Sequence, residues 1–402
     1  MDFLIIGGGP AGLSAASTLR RVSPESSVTI LSNEPHRPYA KMVLPYLLAG
    51  VVEEEDLFLR VSEGVNLVLS EEATRIHPGE RFVETASGRR WPYDRLLIAP
   101  GGVPDRPEIE GCRLPFAFTI RNLPDIRGIR PFISARTNRA VIAGAGPVGM
   151  ETGDALHRQG MRVTFVVTSN RLFSTMLDVP SAAFLEKKLS DKGIEIRKGE
   201  DIVKIEENGT VHFRSGDAME CDLVVFGKGV KPCVGLLADS GIAMNAGIVV
   251  NEMQQTNLPG IYAAGDAAET GDLTSGEKRV NALWPEAVEQ GHVAALNMAG
   301  MQTAYHGSLA RNILRVFDVS ILVAGMGRAE GPEVRVSEDA DHYHKLVLDH
   351  GMLKGMICVG EGRNEGLYRE LMKRRIDVSP YSSAILKGSF SYPRFQRHAM
   401  RL

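Results

Sequence analysis

At 402 residues the chain is long enough for two or three domains, each burying a core of its own. Charged residues make up 24% and the formal net charge is −3, which lacks the basic excess of a nucleic-acid binder. No apolar run approaches the roughly 18 uninterrupted residues of a membrane span, and the apolar opening has no basic leader and is broken by glycines, unlike a secretory signal. A cytoplasmic protein without a nucleic-acid partner or an integral membrane segment is expected.

The first element is "FLIIGGGPAGLSAAS", which predicts a strand over 2–6, a turn Gly7-x-Gly9-x-x-Gly12 and a helix over 10–21. Glycine is needed first for positive φ, second for close approach of backbone to phosphate, and third for helix–strand packing. The helix start then offers unpaired N–H groups and the positive end of its dipole to an anion. A strand over 28–32 ("VTILS") follows, and "SNEP" places Asn33 and Glu34 where an acid normally meets ribose hydroxyls.

Apolar strands running into Gly/Pro turns recur at 93–107 ("YDRLLIAPGGVPDRP") and 221–235 ("CDLVVFGKGVKPCVG"). Between them, "AVIAGAGPVGMETGDAL" repeats the opening design: strand 140–143, Gly144-x-Gly146-x-x-Gly149, helix 147–159 and strand 162–167. A further strand, "LPGIYAAGDAAE" at 258–269, ends on an acid. Beyond about residue 310 the runs "ILVAGM", "HKLVLDH" and "LKGMICVG" precede an amphipathic "EGLYRELMKRR", predicting a small separate α+β domain. The tail after Pro380 has no clear period and carries Lys387, Arg394, Arg397, His398 and Arg401, a basic end suited to an acidic partner. The four cysteines, Cys112, Cys221, Cys233 and Cys358, form no CxxC or CxxxxC pair, so neither a redox disulfide nor a metal site is suggested.

The two cradles, the "APG" at Ala99–Gly101 and the "GIYAAGD" ending at Asp266 occur in the order of the two-dinucleotide-binding flavoproteins. More narrowly, the chain resembles the rubredoxin reductase, nitrite reductase flavin-domain and apoptosis-inducing factor branch, over about residues 1–375. The resemblance implies an α/β fold with two Rossmann-like domains, one for FAD and one for NAD(P), the second inserted in the first. The expected boundaries are 1–112 with 235–308 for FAD, 113–234 for NAD(P), 309–380 for the C-terminal domain and 381–402 for the tail.

It also implies residue roles. Gly7, Gly9, Pro10, Ala11 and Gly12 would hold the FAD pyrophosphate, and Asn33 and Glu34 the adenosine ribose, where the family usually has two acids. Thr74 falls near the adenine, Ala99, Gly101 and Arg121 near the flavin, Gly265 and Asp266 at the ribityl–phosphate end, and Trp284 ("WPEAVEQG") on the pyrimidine side. Gly144, Gly146, Pro147, Val148 and Gly149 would cradle NAD(H), with Gly229 as a second contact. Lys41 and Glu151 would flank the hydride transfer between nicotinamide and flavin, Lys41 favouring charge on the reduced flavin and Glu151 orienting the carboxamide. The discriminating acid after "RVTFVV" is missing. Val167, Thr168, Ser169 and Asn170 stand there, and no basic cluster for a 2′-phosphate follows beyond Arg171, so NADH is preferred and NADPH stays open.

Disulfide-reducing relatives carry a redox cysteine in the segment corresponding to 37–50, or a CxxxxC pair. This chain has neither, so electrons are expected to leave for an outside acceptor. That acceptor is expected to be an iron–sulfur or rubredoxin-type protein or a subunit of a larger redox complex, such as nitrite reductase or tungsten aldehyde oxidoreductase. A quinone, oxygen, or a redox-sensing binding role like that of apoptosis-inducing factor are the alternatives.

Overall fold

Four apolar residues followed by glycine leave a strand little choice but a buried, parallel position, and that is what Asp2–Ile6 and Arg139–Ala143 adopt after their charged first residues in the computed structural model. The structure describes residues 1–134, 139–331, 333–360, 365–391 and 393. Among them the α-helices in chain order are α1 (Pro10–Val22), α2 (Leu44–Leu48), α3 (Leu123–Ser134), α4 (Pro147–Arg158), α5 (Val179–Ser190), α6 (Trp284–Met298), α7 (Glu365–Lys373) and α8 (Ser382–Leu386). None is long and apolar enough to cross a membrane.

The chain divides into two compact units, one of 1–43, 53–103 and 230–310, the other of 44–52, 104–229 and 311–402. In the first, a parallel sheet runs in the order Ile261–Ala263, Arg95–Ile98, Asp2–Ile6, Ser27–Leu31, Asn66–Val68. One face of it is covered by α1 and α6, packing on Phe3, Ile5, Val28, Ile30 and Leu97. The alternate residues Leu4, Ile6, Leu31, Leu96 and Ile98 fill a second core on the opposite face. Period-2 alternation between two apolar faces explains why the strands read as unbroken apolar runs.

In the second unit the parallel order is Glu195–Lys198, Arg162–Val167, Arg139–Ala143, Leu223–Phe226, Ala117–Thr119. Each parallel sheet carries a three-stranded antiparallel excursion, Ala73–Pro92 in one unit and Ile202–Glu220 in the other. Neither excursion was anticipated as a sheet: their strands are only three to five residues long, too short for a clear alternation.

The C-terminal part of the second unit is an antiparallel sheet, Arg311–Val316, Val319–Gly325, Met352–Val359, Tyr343–Asp349, Val334–Glu338, followed by α7 and α8. Its first hairpin turns on Phe317 and Asp318, both left-handed at φ 48° and 61°, the backbone of a tight two-residue turn. Phe317 is buried against His157 and Phe165, and its N–H donates to Asp154 Oδ1 at 3.0 Å, so the hairpin tip is bolted to α4. A second bolt is the ion pair of Lys345 with Asp178, the N-cap of α5, at 2.7 Å. In the basic tail, Lys387 ends α8, while Arg394, Arg397, His398 and Arg401 lie outside the described residues.

Candidate functional site: two dinucleotide cradles

Each cradle stands at the C-terminal end of a central strand whose neighbours diverge to either side, the switch point where α/β sheets bind ligands. The two are built from the same hydrogen bonds. Gly7 N–H donates to the Leu31 carbonyl and Gly144 N–H to the Val166 carbonyl, each at 2.8 Å. Ala99 N–H donates to the Ile6 carbonyl and Gly227 N–H to the Ala143 carbonyl, again at 2.8 Å each.

The glycines divide their labour as the phosphate-binding role requires. Gly7 (φ 105°) and Gly144 (φ 110°) make the turn, and a Cβ there would lie 2.0 Å from the Ala99 oxygen and 2.4 Å from the Gly227 oxygen. A Cβ on Gly12 would meet the Gly7 oxygen at 2.0 Å, and one on Gly149 the Gly144 oxygen at 2.2 Å. The middle glycines differ: around Gly9 and Gly146 a Cβ would find nothing within 4 Å, so this face is open to an incoming group. Pro10 and Pro147 take the first helical position, where their missing N–H costs nothing. Neither α1 nor α4 has a side-chain cap or an acid in its first turn, whereas α5 is capped by Asp178. The helix-start N–H groups of both cradles are therefore presented to an anion. Both sites fit the pyrophosphate of a dinucleotide.

In the first unit, Glu34 lies beyond Ser27–Leu31, with Oε1 2.5 Å from Lys41 Nζ and Oε2 buried without a protein donor. A ribose hydroxyl would supply the missing donor, so the residue fits an FAD in this cradle. Lys41 and Glu34 were assigned to opposite ends of the cofactor from sequence, and the structure joins them. Asn33 is exposed beside Glu34, and Thr74 sits at a bulge, its hydroxyl donating to the Glu84 carbonyl. On the other side of the cradle, Gly101 accepts from Cys233 N–H, and Gly265–Asp266 forms a short turn packed on α6. A Cβ on Gly265 would touch Ala11 and Ala287, and Gly265 N–H donates to Gln290 Oε1 at 2.7 Å. Trp284 opens α6. Gln290, missed from sequence, ties the turn to the helix; the glutamine in "WPEAVEQG" was its only signal.

In the second unit, Val148 and Gly149 lie in the first turn of α4, and Gly227 approaches them closely enough that its own Cβ would sit 2.8 Å from Gly149 Cα. Gly227 is the second-cradle counterpart of Ala99 and was overlooked because only Gly229 of the "GKG" turn was singled out. Gly229, at φ 106°, accepts from Asp105 N–H. Arg121 precedes α3, and its N–H donates to Asp125. Arg171 turns its guanidinium onto its own loop, donating to the Ser174 and Leu177 carbonyls at 2.9 and 3.2 Å.

Glu151, on α4, is pushed up to about 7 by burial and by the neighbouring charge of Asp154. Lys41 and Glu151 belong to different units. Because the folded value exceeds the unfolded one, Glu151 stabilises the fold most at low pH and that contribution is lost as pH rises through about 7. The size of the shift corresponds to about 3 kcal/mol. Glu151→Gln is thus expected to unfold with little pH dependence between 5 and 8 where the wild type weakens, checked by urea titrations across that range; parallel curves would contradict it.

No cysteine lies in 37–50, Cys221 is buried with its thiol pushed up to about 12, and burial also raises Cys233. These thiols are poor nucleophiles.

Comparison with known proteins agrees with this geometry. The chain is 31% identical to the NADH-dependent phenylglyoxylate dehydrogenase subunit epsilon of Aromatoleum evansii, covering 98% of this chain and 96% of that one. It is 32% identical to the NAD(P)H sulfur oxidoreductase (CoA-dependent) of Pyrococcus abyssi, over 81% of this chain and 76% of the relative. The structure of NADH:rubredoxin oxidoreductase from Clostridium acetobutylicum superposes with a TM-score of 0.79 at 25% identity, covering 96% and 99% of the two chains. Residues 1–291 match the family model described as pyridine nucleotide-disulphide oxidoreductase, and the chain belongs to that family as a flavin-dependent NAD(P)H oxidoreductase using FAD and a nicotinamide dinucleotide.

Proposed function

We propose that the chain is the nicotinamide-linked flavoprotein of an electron-transfer system, exchanging electrons with an iron–sulfur or rubredoxin-type protein or with a subunit of a larger redox complex. The observation that carries this reading is the pair of dinucleotide cradles on a chain that has no cysteine in 37–50 and whose Cys221 and Cys233 thiols are raised by burial. Electrons entering from the nicotinamide have no thiol relay in that segment to move to, so they leave for a partner. Similarity over nearly the whole length to a protein named as a dehydrogenase subunit supports the complex-subunit form. Likeness to a protein named as a rubredoxin oxidoreductase supports a small iron-protein partner.

FAD, when bound, accepts a hydride as a two-electron unit and gives electrons up singly. The chain's own contributions are the α1 N–H groups and Gly9 face for the FAD pyrophosphate, and Glu34 for the ribose. Those on α4 with Gly146 serve the nicotinamide dinucleotide. Lys41 would favour negative charge on the reduced flavin only by leaving its ion pair with Glu34 at the ribose end, and Glu151 would orient the carboxamide. With Arg171 engaged by its own loop rather than offered to a 2′-phosphate, NADH is the expected donor.

The test is anaerobic mixing of NADH with the FAD-loaded protein plus purified rubredoxin or ferredoxin. Reduction of the iron protein well above the rate of oxygen consumption in air supports the reading; reduced flavin that passes electrons only to oxygen overturns it. Lys41→Met is expected to slow single-turnover flavin reduction. An unchanged rate with faster loss of FAD on dilution would assign Lys41 to its Glu34 ion pair alone.

A further inference from the structure

At the end of the second unit's parallel sheet opposite the cradle, the chain leaves a cavity of about 400 Å³. Arg139 and Arg162 are the first residues of the adjacent parallel strands Arg139–Ala143 and Arg162–Val167, and they stand in register. Registered neighbours on parallel strands lie about 4.8 Å apart and project to the same face, so two positive charges sit side by side at the strand mouth. Thr164, two residues on, and its registered partner Glu195 share that face. All four line the cavity. The ends of two helices supply the rest of the wall: His157 and Gly160 close α4, and Gly193 follows α5. Both glycines are left-handed, at φ 88° and 75°, and a Cβ on either would meet nothing within 4 Å, so the mouth is unobstructed.

The chain leaves much of this positive charge unanswered. Among the described residues, the exposed Arg162 guanidinium and the His157 ring have no hydrogen-bond or ion-pair partner. Arg139 gives one guanidinium N–H to the Glu220 carbonyl at 3.4 Å, and its backbone N–H to Asp222, which offsets part of its charge. Glu195 is already satisfied, accepting from Arg197 Nε at 3.1 Å and from the Thr164 hydroxyl at 3.0 Å. The dipole at the end of α4 would disfavour an anion, but the Leu156 and His157 carbonyls there accept from Met161 and Gly160 N–H. Like charges held side by side cost free energy until a counter-charge comes between them.

We infer that this cavity is a binding site for a compact organic anion carrying two or more negative charges on carboxylate or phosphate groups. Planar guanidinium groups meet either group with paired, charge-assisted hydrogen bonds, and the His157 ring adds a further polar contact. The volume lies at the low end of small-molecule sites. The site is distinct from the cradle, because the strand Arg139–Ala143 sets roughly 16 Å between its mouth and Gly144. An anion that bridges Arg139 and Arg162 also ties together the two strands that carry the second cradle at their other ends. It does so whatever the cradles hold.

Thermal unfolding and calorimetric titration of the purified protein provide the test, with citrate, inorganic phosphate and, at matched ionic strength, chloride. Citrate or phosphate should raise the melting temperature progressively with concentration, as a ligand of the folded state must, and chloride should not. Tighter citrate binding assigns the site to polycarboxylates and tighter phosphate binding to phosphate compounds; either supports it. Neither anion exceeding chloride overturns it. Arg162→Gln should weaken the binding roughly ten- to hundredfold, and Arg162→Lys should weaken it less, keeping the charge but losing the fork. In chloride alone Arg162→Gln should melt no lower than wild type, since it removes an exposed group and relieves Arg139. Unchanged anion binding by Arg162→Gln overturns the inference, and so does a lower melting temperature in chloride, which would make Arg162 a contact of the fold. Saturating NAD⁺ should leave the anion titration as it was. Displacement of the anion by NAD⁺ would place it in the cradle and overturn the inference.

Discussion

Replacing Gly149 with alanine is expected to leave the protein yellow yet raise the NADH concentration for half-maximal flavin reduction roughly ten- to hundredfold. The added Cβ would lie 2.2 Å from the Gly144 carbonyl oxygen, and both atoms are held by backbone that cannot rotate away. To relieve the clash, α4 must lift from the strand Arg139–Ala143. Its uncapped N–H groups then point away from the site the open face of Gly146 provides. Overpacking of this kind costs about 1–3 kcal/mol, and here the strain falls on the binding geometry. Gly12→Ala places the equivalent clash at 2.0 Å in the first cradle, and its expected result is different: loss of bound FAD and of colour. Stopped-flow flavin reduction for the first variant and the absorbance spectrum of the second check the pair. Equal loss of FAD in both would mean that the cradles do not have separate occupants.

The largest stability effect is expected at Lys345. Its side chain is 4% exposed and pairs at 2.7 Å with Asp178, itself 12% exposed. Lys345→Met leaves a buried carboxylate uncompensated, a change that typically costs 3–5 kcal/mol. Lys345→Met combined with Asp178→Asn should recover a large part of that loss, because the charge goes while the amide oxygen can still cap α5 through Ser181 N–H, now 3.1 Å from Asp178. Burial would raise the Asp178 carboxyl, but the hydrogen bonds from Lys345 and Ser181 outweigh it and hold it below its usual value. A depressed folded value means the contribution holds above pH about 4 and fades as acid protonates Asp178 below that. Urea unfolding of wild type, single and double variants at neutral pH measures the effect. A double variant no more stable than Lys345→Met would show that packing of the lysine stem, not the charge pair, carries the energy.

Local chemistry explains why both cradles were legible in advance. Strand, glycine turn, Pro at the first helical position and a second strand are set by φ restrictions and by contacts within about 30 residues. Asp2–Ile6, Pro10–Val22, Arg139–Ala143 and Arg162–Val167 accordingly fall within a residue of expectation. Of the outer strands of the C-terminal sheet, Arg311–Val316 exposes Ile313 and Arg315 beside buried Leu314 and Val316, Val334–Glu338 has no buried position, and neither gave a clear pattern. The helix Ser382–Leu386 is only five residues long, below the length at which periodicity speaks.

The sequence by itself determined that this chain has two phosphate cradles and no cysteine in the segment between 37 and 50, because both depend on residue identity at short spacing. Only the tertiary structure decided which distant groups meet. Lys41 pairs with Glu34, Arg171 is spent on its own loop, Gln290 holds Gly265, Phe317 and Lys345 fasten the C-terminal sheet to α4 and α5, and Glu286 lies buried against Tyr305. Such contacts are fixed by burial and hydrogen-bond satisfaction over the folded chain, and no local pattern of residues encodes them.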